Sequence, residues 1–186
     1  MLFSKALFIE RYLDLRDRII PLRIEQCEET VLRATPQNKN SIIWLYWHIL
    51  RTEDVGISGF ILDEEQIYSN WAAKVNYETA YNGTGMPKKE VLLMTKQLNI
   101  DYLKQYAQAV KKKTIWLIDE IDTNTLEEVI SQKQTDRLIK QTMPKTIWPL
   151  RELYYGKTKA WFLLHVCLTH PFYHLGQISV IQQLEA

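Results

Sequence analysis

The ten residues "SIIWLYWHIL" (41–50) constrain this chain more than any other stretch. Their side chains are apolar almost all round, and a helix of that kind has to be buried on every side. Residues 41 to about 61 therefore read as a central helix, with Ser41 or Asn40 as its cap. Such a helix needs amphipathic partners, and the chain supplies them. Leu7, Phe8, Tyr12, Leu15, Ile19, Ile20 and Leu22 recur near a 3.6 period, which predicts one long helix over 3–34, kinked at Pro21. Further helices are predicted over 88–97, 100–121, 126–142 and 157–184. The turn-rich "TPQNKNS" (35–41), the loop "YNGTGMPKKE" (81–90) and the irregular "MPKTIWPL" (143–150) separate them. No segment sustains period-two alternation, so no strands are expected. The expected fold is all-α: a four-helix bundle whose long crossover, about 62–99, carries short helices between main helices 2 and 3.

The 186 residues suffice for one domain, 1–186, with a sizeable core. A net charge of +1 gives no footprint for nucleic acid, and "KKK" at 111–113 reads as a solvated helix face. No run approaches the eighteen apolar residues of a membrane span. The first residues lack a signal peptide's pattern, and Cys27 and Cys167 are too few for a disulfide framework. A cytoplasmic protein without nucleic-acid or membrane partners is expected.

Chemistry concentrates in the histidines, His48, His165, His170 and His174. His170 and His174 in "HPFYHLGQI" stand four apart, so on a helix they share a face, the geometry with which two imidazoles bind one metal. Two histidines seldom complete a site. His48, inside the most apolar segment, is the candidate third ligand, although a hydrogen bond to a carboxylate or carbonyl would also satisfy it. His165 lies about 140° around an ideal helix from His170, which reads as a structural position. Cys167 shares the stripe of the pair and could bind zinc as a thiolate, but a small buried thiol is the simpler reading. Pro171 removes one helical hydrogen bond and clashes with the carbonyl of Cys167, at a cost of about 3 kcal/mol or more. A break there would leave the histidine pair on one face but move Cys167 off it.

The segments "IIWLYWHILRTED" (42–54) and "HPFYHLGQI" (170–178) resemble the DinB-like superfamily of metal-dependent helical bundles. In that family a histidine in the second main helix is followed by an arginine and acidic residues, here His48, Arg51, Glu53 and Asp54. A His-x3-His pair in the last helix is followed by Gly-Gln-Ile, here His170, His174, Gly176, Gln177 and Ile178. The loop "NGTGMPKKEV" and "YAQAVKKKTIWLI" look like members with a long crossover. The resemblance implies a bundle with an unusual helix order, often a homodimer. It implies three histidines holding nickel, zinc, iron or manganese, and a small-molecule substrate. It also implies chemistry that uses a low-molecular-weight thiol. Pro171 departs from the family, which often has an acidic or small polar residue there.

The expected function is a metal-dependent enzyme, a thiol-dependent transferase or a hydrolase. Arg51 lies about 60° around its helix from His48, near enough to face the cavity and bind an anion as a catalytic residue. Thr52 and Gln177 share the stripes of His48 and His170. Glu53 and Asp54 point away and read as structural ion pairs, so no general base is identified. The alternative is a non-catalytic metal-binding or dimeric interaction module. A cavity reaching the histidines favours the enzyme; histidines sealed beneath Trp44 and Trp47 favour the module.

Overall fold

The computed structural model describes residues 4–185. Helix α1 (Lys5–Leu13) starts where the Ser4 hydroxyl accepts the Leu7 N–H at 3.3 Å. It runs on with wider π-helical turns through Asp14–Ile19 and Pro21–Glu25. Pro21 does not break it: wider turns flank the ring, and the chain leaves the helix only at Gln26. The short α2 (Glu29–Arg33) follows. The single helix expected over 3–34 is thus two, and its residue 3 lies outside the described residues.

Ser41 caps α3 (Ile42–Asp54) through the Trp44 N–H, and π-helical turns extend it through Val55–Ile61. Every residue of α3 except Thr52 is buried, as its all-round apolar sequence requires. The crossover contains a 3-10 turn (Ile67–Asn70), α4 (Ala72–Val75) and α5 (Lys88–Gln97). Asn99 caps α6 (Ile100–Glu120). Helix α7 (Gln132–Thr142) begins at the Ser131 cap, later than expected. The preceding residues 128–130 are extended: Ile130 N–H donates to Lys157 O and Lys159 N–H to Glu128 O, both at 3.0 Å. This isolated antiparallel pairing is the only strand-like contact among the described residues. Residues 145–150 form a 3-10 turn leading into α8 (Arg151–Tyr154). Thr158 caps α9 (Lys159–Leu164), which passes through the π-helical His165–Thr169 into α10 (His170–Glu185).

Four long helical runs, 5–25, 42–61, 100–120 and 159–185, carry the core, and the 62–99 crossover separates the second from the third. Helix α3 packs on α6 and α10, α1 packs on α6, and α9 packs on the 55–61 turns. Gly56 makes room for the adjoining 165–169 turn: a Cβ there would lie 2.6 Å from Val166. No helix among the described residues is long and apolar enough to cross a membrane.

Along α3 the apolar core is interrupted by charged residues, and both carboxylates are paired. Glu53 accepts from Arg16 Nη1 at 3.2 Å, from Thr114 Oγ1 at 2.7 Å and from the Tyr12 hydroxyl. Asp54 accepts from Ser58 Oγ at 2.8 Å, Tyr106 Oη at 2.8 Å and Tyr68 N–H at 3.0 Å, and faces Arg51 at 3.5 Å. Both carboxylates are structural ion pairs, as expected from their angle to His48. Removing one partner of a buried pair strands the other charge, at about 3–5 kcal/mol. Arg16→Met should therefore lower unfolding stability by about that amount, read from the urea midpoint; a loss below about 1 kcal/mol would contradict a buried Glu53 charge.

Candidate metal centre

The site lies where α3 faces the junction of the π-helical 165–169 turn with α10. His48 hangs from the buried middle of α3, with Trp44 stacked on its ring at 5.1 Å and 16°. Its Nδ1 lies 2.6 Å from the carbonyl oxygen of Asn82. A carbonyl only accepts, so Nδ1 carries the proton and Nε2 keeps its lone pair. The 81–86 loop supplies that carbonyl and is itself pinned. Asn82 N–H donates to Thr142 O at 2.9 Å, Asn82 Oδ1 accepts the Thr84 N–H at 2.9 Å, and the Trp44 indole N–H points at Met86 Sδ at 3.2 Å. Gly83 lies behind His48 at φ +99°, where a Cβ would come within 2.8 Å of Trp47 and 3.1 Å of His48 Nδ1.

The imidazoles of His170 and His174 meet His48 edge to face. The three rings stand at 71°, 78° and 77° to one another, with centroids 4.4–5.0 Å apart. His170 Nε2 is 3.2 Å from His48 Nε2 and 3.0 Å from His174 Nε2. Gln177 Oε1 sits 2.9 Å from His174 Nδ1 and fixes that tautomer too, so Gln177 acts through His174 rather than beneath His170. Two of the three Nε2 atoms are thus pure acceptors, and a proton on His170 Nε2 could serve only one of them. The three nitrogens can share a divalent ion: metal–nitrogen bonds of about 2.0–2.1 Å place cis or tetrahedral imidazole nitrogens about 3.0–3.4 Å apart. The donor set and its spacing fit such an ion, and these three residues form a group able to hold one.

Pro171 does not separate the pair. The His170 N–H donates to His165 O, five residues back, so the wider turn absorbs the proline without ending the helix. The same turn revises the position of His165. Five residues apart on a π turn are near-neighbours, and the His165 ring lies 5.9 Å from that of His170, stacked on Trp161 at 4.7 Å. An ideal α-helix hides this. His165 lines the adjacent cavity but stands outside the three-histidine group. Cys167 is fully buried beside Tyr12, Glu53 and Arg16, where burial pushes its thiol well up, and it is not part of the group either.

A cavity of about 200 Å³ reaches His48 and His170. Its apolar wall comes from Val55, Phe60, Met143, Tyr154, Phe162 and Val166. Thr52, Asn82, Thr84 and His165 add the polar atoms. Arg51 is not on this wall. Its fully buried guanidinium lies over the Tyr68 ring at 4.0 Å, faces Asp54 and donates to Ala80 O at 3.2 Å. The acid three residues on and the crossover's tyrosine hold it on another side of α3. The sequence does not mark the two groups that orient the imidazoles from a distance, the Asn82 carbonyl and Gly83. The "NG" pair signals a turn, but not a turn folded against His48.

Burial holds all four histidines below their ordinary range: His48 falls to about 4, His170 well below 6.5 with help from its neighbouring imidazoles, and His165 and His174 also fall. The neutral form that binds metal is therefore the form present near pH 7. For the metal-free protein the sign follows directly. Between pH 6.5 and about 4 the unfolded chain protonates at His48 and the folded chain does not. Stability should therefore fall as pH drops through that window, with roughly 3 kcal/mol from His48 alone. Urea titrations across the window check this; a flat profile would contradict a neutral, buried His48. Gly83→Ala should lower metal affinity about 10–100-fold with all three histidines intact, measured by competition with a chelator.

The geometry agrees with one comparison. The sequence profile of the DinB superfamily matches residues 12–178, a span that includes all three histidines. No curated protein matches the chain. With the profile covering most of its length, the chain belongs to the DinB superfamily.

Proposed function

We propose that His48, His170 and His174 hold one divalent metal ion, and that the protein is a metal-dependent enzyme acting on a small molecule in the adjacent cavity. One observation carries this reading: three Nε2 atoms 3.0 and 3.2 Å apart, two of them lone-pair donors by tautomer, beside a cavity that reaches His48 and His170. A sealed cluster beneath Trp44 would favour a non-catalytic module; the cavity supports the enzyme. Nickel, zinc and iron suit three imidazoles, while manganese, which prefers oxygen ligands, would need water or substrate oxygens to complete its shell. When bound, such an ion supplies Lewis acidity, which lowers the pKa of a water or thiol toward neutrality.

The chain's own residues would set the rest. His48 and His174 are held in one tautomer by Asn82 and Gln177. Burial keeps their rings neutral, and aromatic side chains form much of the cavity's apolar wall. In this reading Arg51 is a positioning residue: its bond to Ala80 O holds the segment that delivers the Asn82 carbonyl. The reaction would be a thiol-dependent transfer or a hydrolysis. A homodimer fits the exposed stripe Phe172, Val180 and Leu184 on α10. The unpaired Cys27 and Cys167 fit a reducing cytoplasm.

Tag-free protein should contain about one equivalent of divalent metal by elemental analysis, the stoichiometry of one three-ligand site. His174→Ala should lose it while staying folded by circular dichroism. Wild-type protein that takes up none of nickel, zinc, iron or manganese would sink the reading.

A further inference from the structure

The cavity beside the histidines is specific about what it can hold. None of its lining residues is Asp, Glu, Lys or Arg. A charged group placed deep in it would lose hydration with no counter-charge to replace it. The bulk of any ligand there is therefore uncharged. The volume, about 200 Å³, is also limiting. An apolar cavity of roughly 150 Å³ accepts benzene, so this one has room for a single six-membered ring with one or two small substituents. A peptide-sized thiol is too large for it.

The wall selects further. Phe60 and Phe162 stack at 4.1 Å and 13°, and Tyr154 lies against Phe162 at 5.8 Å and 23°. Phe60, Phe162 and Val166 are buried, so the wall is held by packing rather than by loops. Flat aromatic surfaces of this kind favour an aromatic guest in offset or edge contact, and the Met143 thioether adds a soft contact to a ring edge. Two polar atoms on lining residues remain buried without a partner, Thr52 Oγ1 and His170 Nδ1. A buried hydroxyl or imidazole N–H left unpaired is costly. When His170 Nε2 gives its lone pair to a metal ion, the ring proton sits on Nδ1, a donor with no acceptor in the protein.

We propose that this cavity binds a compact, uncharged aromatic molecule, one ring in size, with an oxygen function that pairs with Thr52 Oγ1 and His170 Nδ1. It rests on the same site as the proposed function and names its substrate class: the arene-bearing reactant occupies the cavity, and any larger thiol stays outside it.

Benzyl alcohol and toluene serve as probes, added to protein labelled at the methionine methyls, metal-free and nickel-loaded. The Met143 methyl resonance should shift saturably with both, while those of Met86 and Met94 stay put. Thr52→Val, which keeps the shape and removes the hydroxyl, should weaken benzyl alcohol about 5–10-fold and leave toluene unchanged. No shift at Met143 with either probe, in protein with native circular dichroism, overturns the proposal. So does a benzyl alcohol affinity that Thr52→Val leaves untouched. A saturable Met143 shift in protein that binds no metal supports this cavity assignment while sinking the metal reading; metal uptake without the shift does the reverse.

Discussion

A helix buried on every side needs partners for its charged and ring-nitrogen groups, and α3 carries His48, Arg51, Glu53 and Asp54 in its interior-facing turns. Much of the surrounding architecture answers that constraint. Arg16 of the first run and Thr114 of α6 meet Glu53. Tyr106, Ser58 and the backbone of the 67–68 turn meet Asp54. Tyr68 and Ala80 of the crossover meet Arg51. The carbonyl of Asn82 meets one side of the His48 ring. The crossover is therefore more than a connection between helices: it brings hydrogen-bonding partners to a helix that is almost wholly buried.

That arrangement also sets the chemistry. With the Nδ1–H of His48 donating to the Asn82 carbonyl, the Nε2 lone pair is left free on the other side of the ring, and α10 presents two more imidazoles to it. The wider turn at 165–169 brings α10 into place. It lets Pro171 ride in a helix, and with Gly56 against Val166 it seats the junction close to α3. The same turn puts His165 on the cavity wall. A strain that would break an α-helix is spread here over one extra residue per turn, a device often found at functional sites.

Much of this was legible in the sequence, for identifiable reasons. The all-round apolar 41–50 segment could only be a central helix, and the four-residue spacing of His170 and His174 made a shared face certain on any continuous helix. Glu53 and Asp54, by angle, could only be turned from His48. What ideal α geometry hides is the π register: it shifts every residue after 165 relative to those before, so His165 appears on the wrong side. Arg51 misleads for a different reason. Its angle to His48 permits the cavity, but Asp54 and Tyr68 compete for the guanidinium, and Tyr68 lies in a crossover whose path no periodicity reveals. The break after Glu25 and the late start of α7 follow from backbone pairing and wider turns, which leave no mark in hydrophobic spacing.

The central claim is that three imidazoles, and nothing else from this chain, surround one ion. X-ray absorption at the metal edge of the zinc-loaded protein tests it most directly. Three histidine nitrogens at about 2.0–2.1 Å, with no sulfur in the shell, is the predicted result. Fewer than three imidazoles, or a sulfur at about 2.3 Å from Cys167, would contradict it.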